Sequence, residues 1–281
     1  MNLDVTEQND DSSNDLTQKA EQLAEVLKKY EIKLSQGKIN RLVKYCDLLW
    51  AWNEKINLTR HTDYEKFVAR DVVDSLALAE FLLPGERILD VGTGGGVPGI
   101  ILAIVRPDLQ VELCDSTGKK ANVVQDIVNM LKFDIPVWHS KAEDLFKTRR
   151  YTSLTVRAVS KMPRLLELFA PHWHSFERIL MLKGPNWVAE RGEARHFGYM
   201  EKLSLRVLKS YPIALPAESE PDSAAPSESV VLQICQKAKF EKLDERIETL
   251  IQTQAFSRKN KDEYRKYHRR NNIRKRSDRK K

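Results

Sequence analysis

Residues 88–100 read ILDVGTGGGVPGI. A short apolar run ends in Asp90, glycines follow at 92, 94, 95, 96 and 99 with a proline at 98, and the chain then continues as IILAIV, residues 100–105. This is the order strand, bare loop, helix. Pro98 stands near the first turn of that helix, where a missing N–H costs nothing. Glycines let such a turn tighten and let a ligand approach the backbone, while the helix start presents free N–H groups. The stretch therefore predicts a nucleotide-type site at the end of a first strand.

Outward from it, the pattern repeats. Apolar runs at Arg87–Val91, Val111–Asp115, Ile135–His139, Leu154–Arg157 and Arg178–Leu182 alternate with helical stretches, which predicts a parallel sheet covered by helices, an α/β fold. Two more runs, Leu203–Lys209 and Ser229–Cys235, are joined by ALPAESEPDSAAPSES with no helix between them. They read as an antiparallel edge hairpin with a long loop. Upstream, Leu16, Ala20, Leu23, Leu27 and Tyr30 recur at helical spacing, and Ile39, Leu42, Val43, Cys46, Leu49 and Trp50 do so after a cap at Ser35. A third helix is expected from Asp71 to Leu82, broken by Pro84-Gly85.

Composition limits the class. The chain has 281 residues, 41% of them hydrophobic, enough for one sizeable core and an appendage. No apolar run approaches membrane-spanning length, and the acidic N-terminus is the reverse of a targeting signal. Cys46, Cys114 and Cys235 are widely spaced and include no CxxC pair, so neither a disulfide framework nor a zinc site is expected. His172 and His174 lack a partner ligand at suitable spacing, and no metal is expected. A reducing cytoplasm fits this usage.

Charge is uneven. Residues 257–281 hold 13 Lys or Arg against three acids, a net +10, so within the total of +7 the rest of the chain is mildly acidic at −3. A block this polar cannot bury enough surface to offset its chain entropy. Two readings follow: a solvating tail, or an arm for a polyanion. Tyr264, Tyr267 and His268 among the arginines favour RNA, whose bases stack on aromatic and guanidinium planes.

The glycine loop itself satisfies two motifs. Residues 94–99 match the dinucleotide-binding GxGxxG, with Asp115 placed to grip ribose hydroxyls. Residues 90–96 equally match D-x-G-x-G-x-G, the loop of methyltransferases. A nicotinamide enzyme would require a further acid for hydride transfer, and no residue is nominated for it.

The stretch LDVGTGGGVPGIILAIVRPDLQVELCDSTGKK (89–120) resembles the bacterial 16S rRNA guanine-N7 methyltransferase family, RsmG or GidB. So do LLWAWNEKINLT (48–59), VVDSLALAEFL (72–82), SKAEDL (140–145), VRAVS (156–160) and MLKG (181–184). The likeness covers about residues 16–237, in order. It implies a Rossmann-like class I adenosylmethionine-dependent methyltransferase, with a seven-stranded, mostly parallel sheet and an N-terminal helical extension. It further implies S-adenosyl-L-methionine as cofactor and 16S rRNA or the small ribosomal subunit as partner, and the protein is expected to act as a monomer, away from membranes. The implied organisation is an acidic disordered segment 1–15, a helical extension 16–83, a methyltransferase domain 84–237 and a basic disordered tail 238–281.

Residue by residue, the resemblance implies that Gly92, Gly94, Gly96 and Val97 line the cofactor, with Asp115 at the ribose. Ala142 and Glu143 fall beside the adenine, and Arg157 completes the site facing the substrate. N7 of guanine already presents a lone pair on the major-groove edge, so methyl transfer to it needs no general base, and no catalytic acid or base is nominated. Asp71 and Asp74 read most simply as helix caps and surface acids, with stabilisation of the cationic product as the second reading. Arg157 reads first as a group that holds a phosphate or a base by charge-assisted hydrogen bonds, with a structural ion pair inside the sheet as the second reading. Trp50 and Trp52 read as packing, and Asn53 and Asn57 as turn-ordering residues. The chain departs from the family pattern at Asp71, where the family carries His, at Lys141 (Arg), at Val156 (Ser) and at 227–229, where it carries Arg-His. These lie on the substrate side, which leaves a noncatalytic RNA-binding protein as the rival reading.

Overall fold

The computed structural model describes residues 7–212 and 228–253, with side chains from residue 14. Within the first 237 residues, α1 (Glu7–Lys29) and α2 (Gln36–Asn53) pack through Ala20, Leu23 and Leu27 against Leu42, Val43 and Leu49. Each of these is at most 1% exposed. The first helix starts at Glu7, inside the segment expected to be disordered.

The next helical run also begins earlier than expected. Asp63 caps α3 (Tyr64–Lys66) by accepting the Lys66 N–H at 2.8 Å, a π-helical turn spans Phe67–Val72, and α4 covers Val73–Ala79. Phe67, Val68 and Val72 are fully buried, so this run belongs to the core.

The sheet follows the predicted alternation. Its strands are β1 (Arg87–Val91), β2 (Gln110–Asp115), β3 (Val137–His139), β4 (Tyr151–Arg157), β5 (Phe176–Lys183), β6 (Leu203–Pro212) and β7 (Glu228–Gln236). They lie in the order β3-β2-β1-β4-β5-β7-β6. The first five pair in parallel, and β7 runs antiparallel between β5 and β6. This is the seven-stranded Rossmann-like arrangement, with the expected antiparallel pair at one edge. Helices α5 (Gly99–Val105), α6 (Gly118–Met130), α7 (Ala142–Leu145), α8 (Met162–Phe169) and α9 (Trp187–His196) connect the strands. β1 is buried on both faces, as a central parallel strand must be, and Ile88 and Leu89 each contribute about 2–3 kcal/mol by burial.

The order reverses between β1 and β4. Strand ends diverge there and leave a crevice beyond their C-terminal edge, so topology alone puts the glycine loop at a ligand-binding position. No helix among the described residues is long and apolar enough to cross a membrane.

Residues from 238 onward form a separate unit. Residues 237–253 are helical, which corrects the expectation of a disordered tail from 238. Phe240, Leu243, Ile247 and Leu250 recur at helical spacing; the high average charge of the tail conceals that stripe. The basic block 257–281 lies outside the described residues.

Candidate cofactor site and its substrate-side ion cluster

Asp90 organises the glycine loop from beneath. It is fully buried, accepts Thr93 Oγ1 at 2.6 Å and the Gly99 N–H at 3.0 Å on one oxygen, and accepts Thr155 Oγ1 at 3.0 Å on the other. The end of β1 is thereby tied to the start of α5 and to β4. Burial pushes its carboxyl up to about 6, with the three donors pulling the other way. The helical extension supports the loop from outside: Tyr45 donates its hydroxyl to Gly95 O at 2.9 Å.

Two glycines leave backbone bare toward the crevice. Gly92 has φ +65°, and a Cβ there would lie 2.6 Å from Val159 Cγ2. Gly94 has φ +59°, and a Cβ would meet only Gly92 O, at 3.9 Å. The space beside Gly94 is therefore open.

Asp115, at the end of β2, stands next to it. One carboxylate oxygen accepts the Gly94 N–H at 3.0 Å and the other the Thr117 N–H at 2.8 Å, which fixes the group while leaving each oxygen a further lone pair. It borders a cavity of about 240 Å³. Gly92, Ala142 and Glu143 share that cavity, and Val159, Leu165 and Phe169 give it an apolar wall. A cavity with an apolar wall and a pinned carboxylate on its rim matches the donor and acceptor needs of a nucleoside, so the residues present fit the group that the sequence implies.

Four of the eight implied residues thus meet in one cavity, and Gly94 is bonded to one of them. Gly96 and Val97 are placed otherwise. Both donate their N–H to Thr93 O, and a Cβ on Gly96 would run into Ile100 and the Tyr45 hydroxyl. They shape the loop and do not line the cavity. Leu165 and Phe169 of α8, part of that apolar wall, were not found by sequence reasoning, because they carry no motif.

Arg157 lies elsewhere again. Its Nη2 meets Asp71 Oδ1 at 2.6 Å and its Nη1 meets Asp74 Oδ2 at 3.3 Å. Asp71 also faces His61 Nδ1 at 2.9 Å, and Asp74 accepts the Tyr211 hydroxyl at 2.7 Å. Asp71 and Asp74 are 0% and 5% exposed, so the reading of them as helix caps and surface acids is corrected. Spaced three apart on one helical face, they converge on a single guanidinium. Burial works against the charge of Arg157, and the two carboxylates outweigh it, raising its pKa. Burial raises the Asp74 carboxyl despite Arg157 and Tyr211. The cluster joins the helical extension to the ends of β4 and β6.

A larger hollow, about 450 Å³, lies at the opposite end of β1 and β2. Its buried carboxylate, Glu112, is already engaged by Arg87, Trp138 and Tyr151. No polar group is left aimed into it by that residue, and the chemistry belongs with the glycine loop.

The model of the family described as rRNA small subunit methyltransferase G matches residues 38–211. The chain belongs to that family. A relative from Rhodopirellula baltica named ribosomal RNA small subunit methyltransferase G is 42% identical over 221 residues, covering 76% of this chain and 96% of the relative. A protein of the same name from Desulfitobacterium hafniense is 37% identical over 183 residues, covering 63% and 73%. Another, from Clostridium novyi, is 35% identical over 162 residues, covering 55% and 67%. Membership in the methyltransferase G family decides between the two motifs that the glycine loop satisfies, and the nicotinamide reading falls.

Proposed function

We propose that the protein transfers a methyl group from S-adenosyl-L-methionine to N7 of a guanosine in 16S rRNA. The reading is supported above all by 42% identity along 96% of a relative named for small-subunit rRNA methylation. When bound, S-adenosyl-L-methionine supplies an activated methyl group. Asp115 is assigned to its ribose hydroxyls, the bare backbone at Gly92 and Gly94 to the chain beyond, and Ala142 and Glu143 to the base. Gly96 and Val97 serve indirectly by holding the loop in shape.

The chain's remaining task is positioning. Guanine N7 carries its lone pair at neutral pH, so no proton has to leave before attack, and holding the two partners in line supplies most of the rate. No side chain is assigned as a base. Arg157 stays with Asp71 and Asp74 as the join between the helical extension and the sheet, facing the substrate side. The partner is the small ribosomal subunit or its rRNA, and residues 257–281 contact RNA phosphates, with the protein acting as a monomer in the cytoplasm.

The test is incubation with labelled S-adenosyl-L-methionine and small subunits lacking the N7 mark, with new sites mapped by borohydride and aniline cleavage. One cleavage site is expected. Cofactor binding without any transfer would overturn the assignment and favour a noncatalytic RNA-binding role.

A further inference from the structure

The connection from β4 to α8 carries a backbone outlier beside the cofactor cavity. Ala158 has φ +53°, the left-handed region, which a residue with a Cβ occupies only at a cost. Its neighbour Val159 keeps an apolar side chain 40% exposed, lines the cavity and stands against Gly92. Such a conformation persists only where its surroundings enforce it.

An ion pair holds the segment just beyond this outlier. Lys183, the last residue of β5 and part of the MLKG stretch, donates from Nζ to Ser160 O at 2.8 Å and pairs with Glu190 Oε2 at 2.7 Å. The same Glu190 oxygen accepts the Met162 N–H at 2.7 Å. Their side chains are 12% and 17% exposed. One ion pair therefore holds the carbonyl on one side of Lys161 and the amide on the other, at the point where α8 begins.

We propose that Lys183 and Glu190 are positioning residues for the cofactor. The pair fixes residues 158–162, so that Val159 stays over Gly92 and α8 starts where Leu165 and Phe169 reach the cavity. Neither side chain is among the residues lining the cavity; both act through the segment they hold. A mere staple between β5, α8 and α9 would lower stability and leave cofactor affinity intact.

The inference rests on the cofactor assignment proposed above, and its test separates the two. Full-length wild type, Glu190→Gln, Lys183→Met and the double variant are compared, with Glu193→Gln, exposed on the same helix, as control. S-adenosyl-L-methionine affinity is read by titration calorimetry, backbone exchange over 158–164 by hydrogen exchange in the cofactor-free protein, and folding by thermal midpoint. Glu190→Gln keeps an acceptor for Met162 and removes the charge from Lys183, so it folds as the wild type does. The expected result is affinity about tenfold weaker in each single variant, faster exchange confined to 158–164, no further loss in the double variant and an unchanged KM for small subunits. Wild-type affinity and exchange in Glu190→Gln and Lys183→Met would overturn the proposal, as would losses that only follow a lowered midpoint with exchange rising everywhere. A wild type that binds no S-adenosyl-L-methionine overturns the proposed function instead, and local exchange then still decides whether the pair holds the segment.

Discussion

Asp90 is the residue on which the glycine loop depends, and its protonation has a measurable sign. Its carboxyl rises from 3.8 to about 6, so between those values the folded protein holds the proton more tightly than the unfolded chain does. Stability from this site is therefore full at low pH, falls as pH rises between the two values, and is level above the upper one, a loss of about 1–3 kcal/mol. Asp90→Asn cannot titrate, yet still offers an oxygen to Gly99. Urea midpoints at acid and neutral pH should show the wild type losing ground to Asp90→Asn as pH rises; parallel curves would contradict the buried charge. Gly94→Asp tests the neighbouring surface. It places a side chain at φ +59° and a second carboxylate next to Asp115. S-adenosyl-L-methionine binding should be abolished in calorimetry, at a stability cost of only about 1–2 kcal/mol, because the substituent points into open space.

Between elements, the join at Arg157 dominates. Replacing it with Ala leaves Asp71 and Asp74 buried without their cation, which typically costs about 3–5 kcal/mol. Because both acids sit on the helical run from Tyr64 to Ala79, the loss should appear in hydrogen exchange first across that run and in β6, through Tyr211. Adding Asp71→Asn to Arg157→Ala should restore part of the midpoint, since it removes one of the stranded charges; a strictly additive double variant would refute the cluster as a coupled unit. This cluster also marks where sequence reading stopped. The strands were legible because each is an apolar run bounded by turns, and β1 was placed to the residue. Gly92 and Asp115 belong to the glycine-loop motifs, and Ala142 and Glu143 came only through the family resemblance; the four border one cavity because the topology gathers the strand ends that carry them. The partners of Arg157 were not legible, since Asp71 and Asp74 lie more than eighty residues away and nothing in their local pattern separates a buried acid from a capping one. The π-helical turn was equally hidden: its apolar residues keep a helical rhythm, and only packing decides where that run begins.

For the whole molecule, charge is divided between an acidic body and a basic end, and rRNA is a polyanion. The proposed cofactor site lies at the C-terminal edge of the sheet, whereas residues 257–281 carry +10 outside any motif of that site. The two halves of the work should therefore separate kinetically. Deleting 257–281 leaves the loop, the cavity and the ion cluster intact, so the rate at saturating small subunits should stay as in the full chain. Affinity should fall, and its dependence on salt should flatten, because each phosphate no longer neutralised removes about 0.7–0.9 from the slope of log affinity against log salt. Binding measured from low to moderate salt for both forms gives that slope directly. A drop of several units with unchanged turnover identifies the tail as an electrostatic arm that raises the local concentration of substrate. Unchanged slopes would show that the tail meets no phosphate, and a fall in saturated turnover would place it in the chemistry of the site.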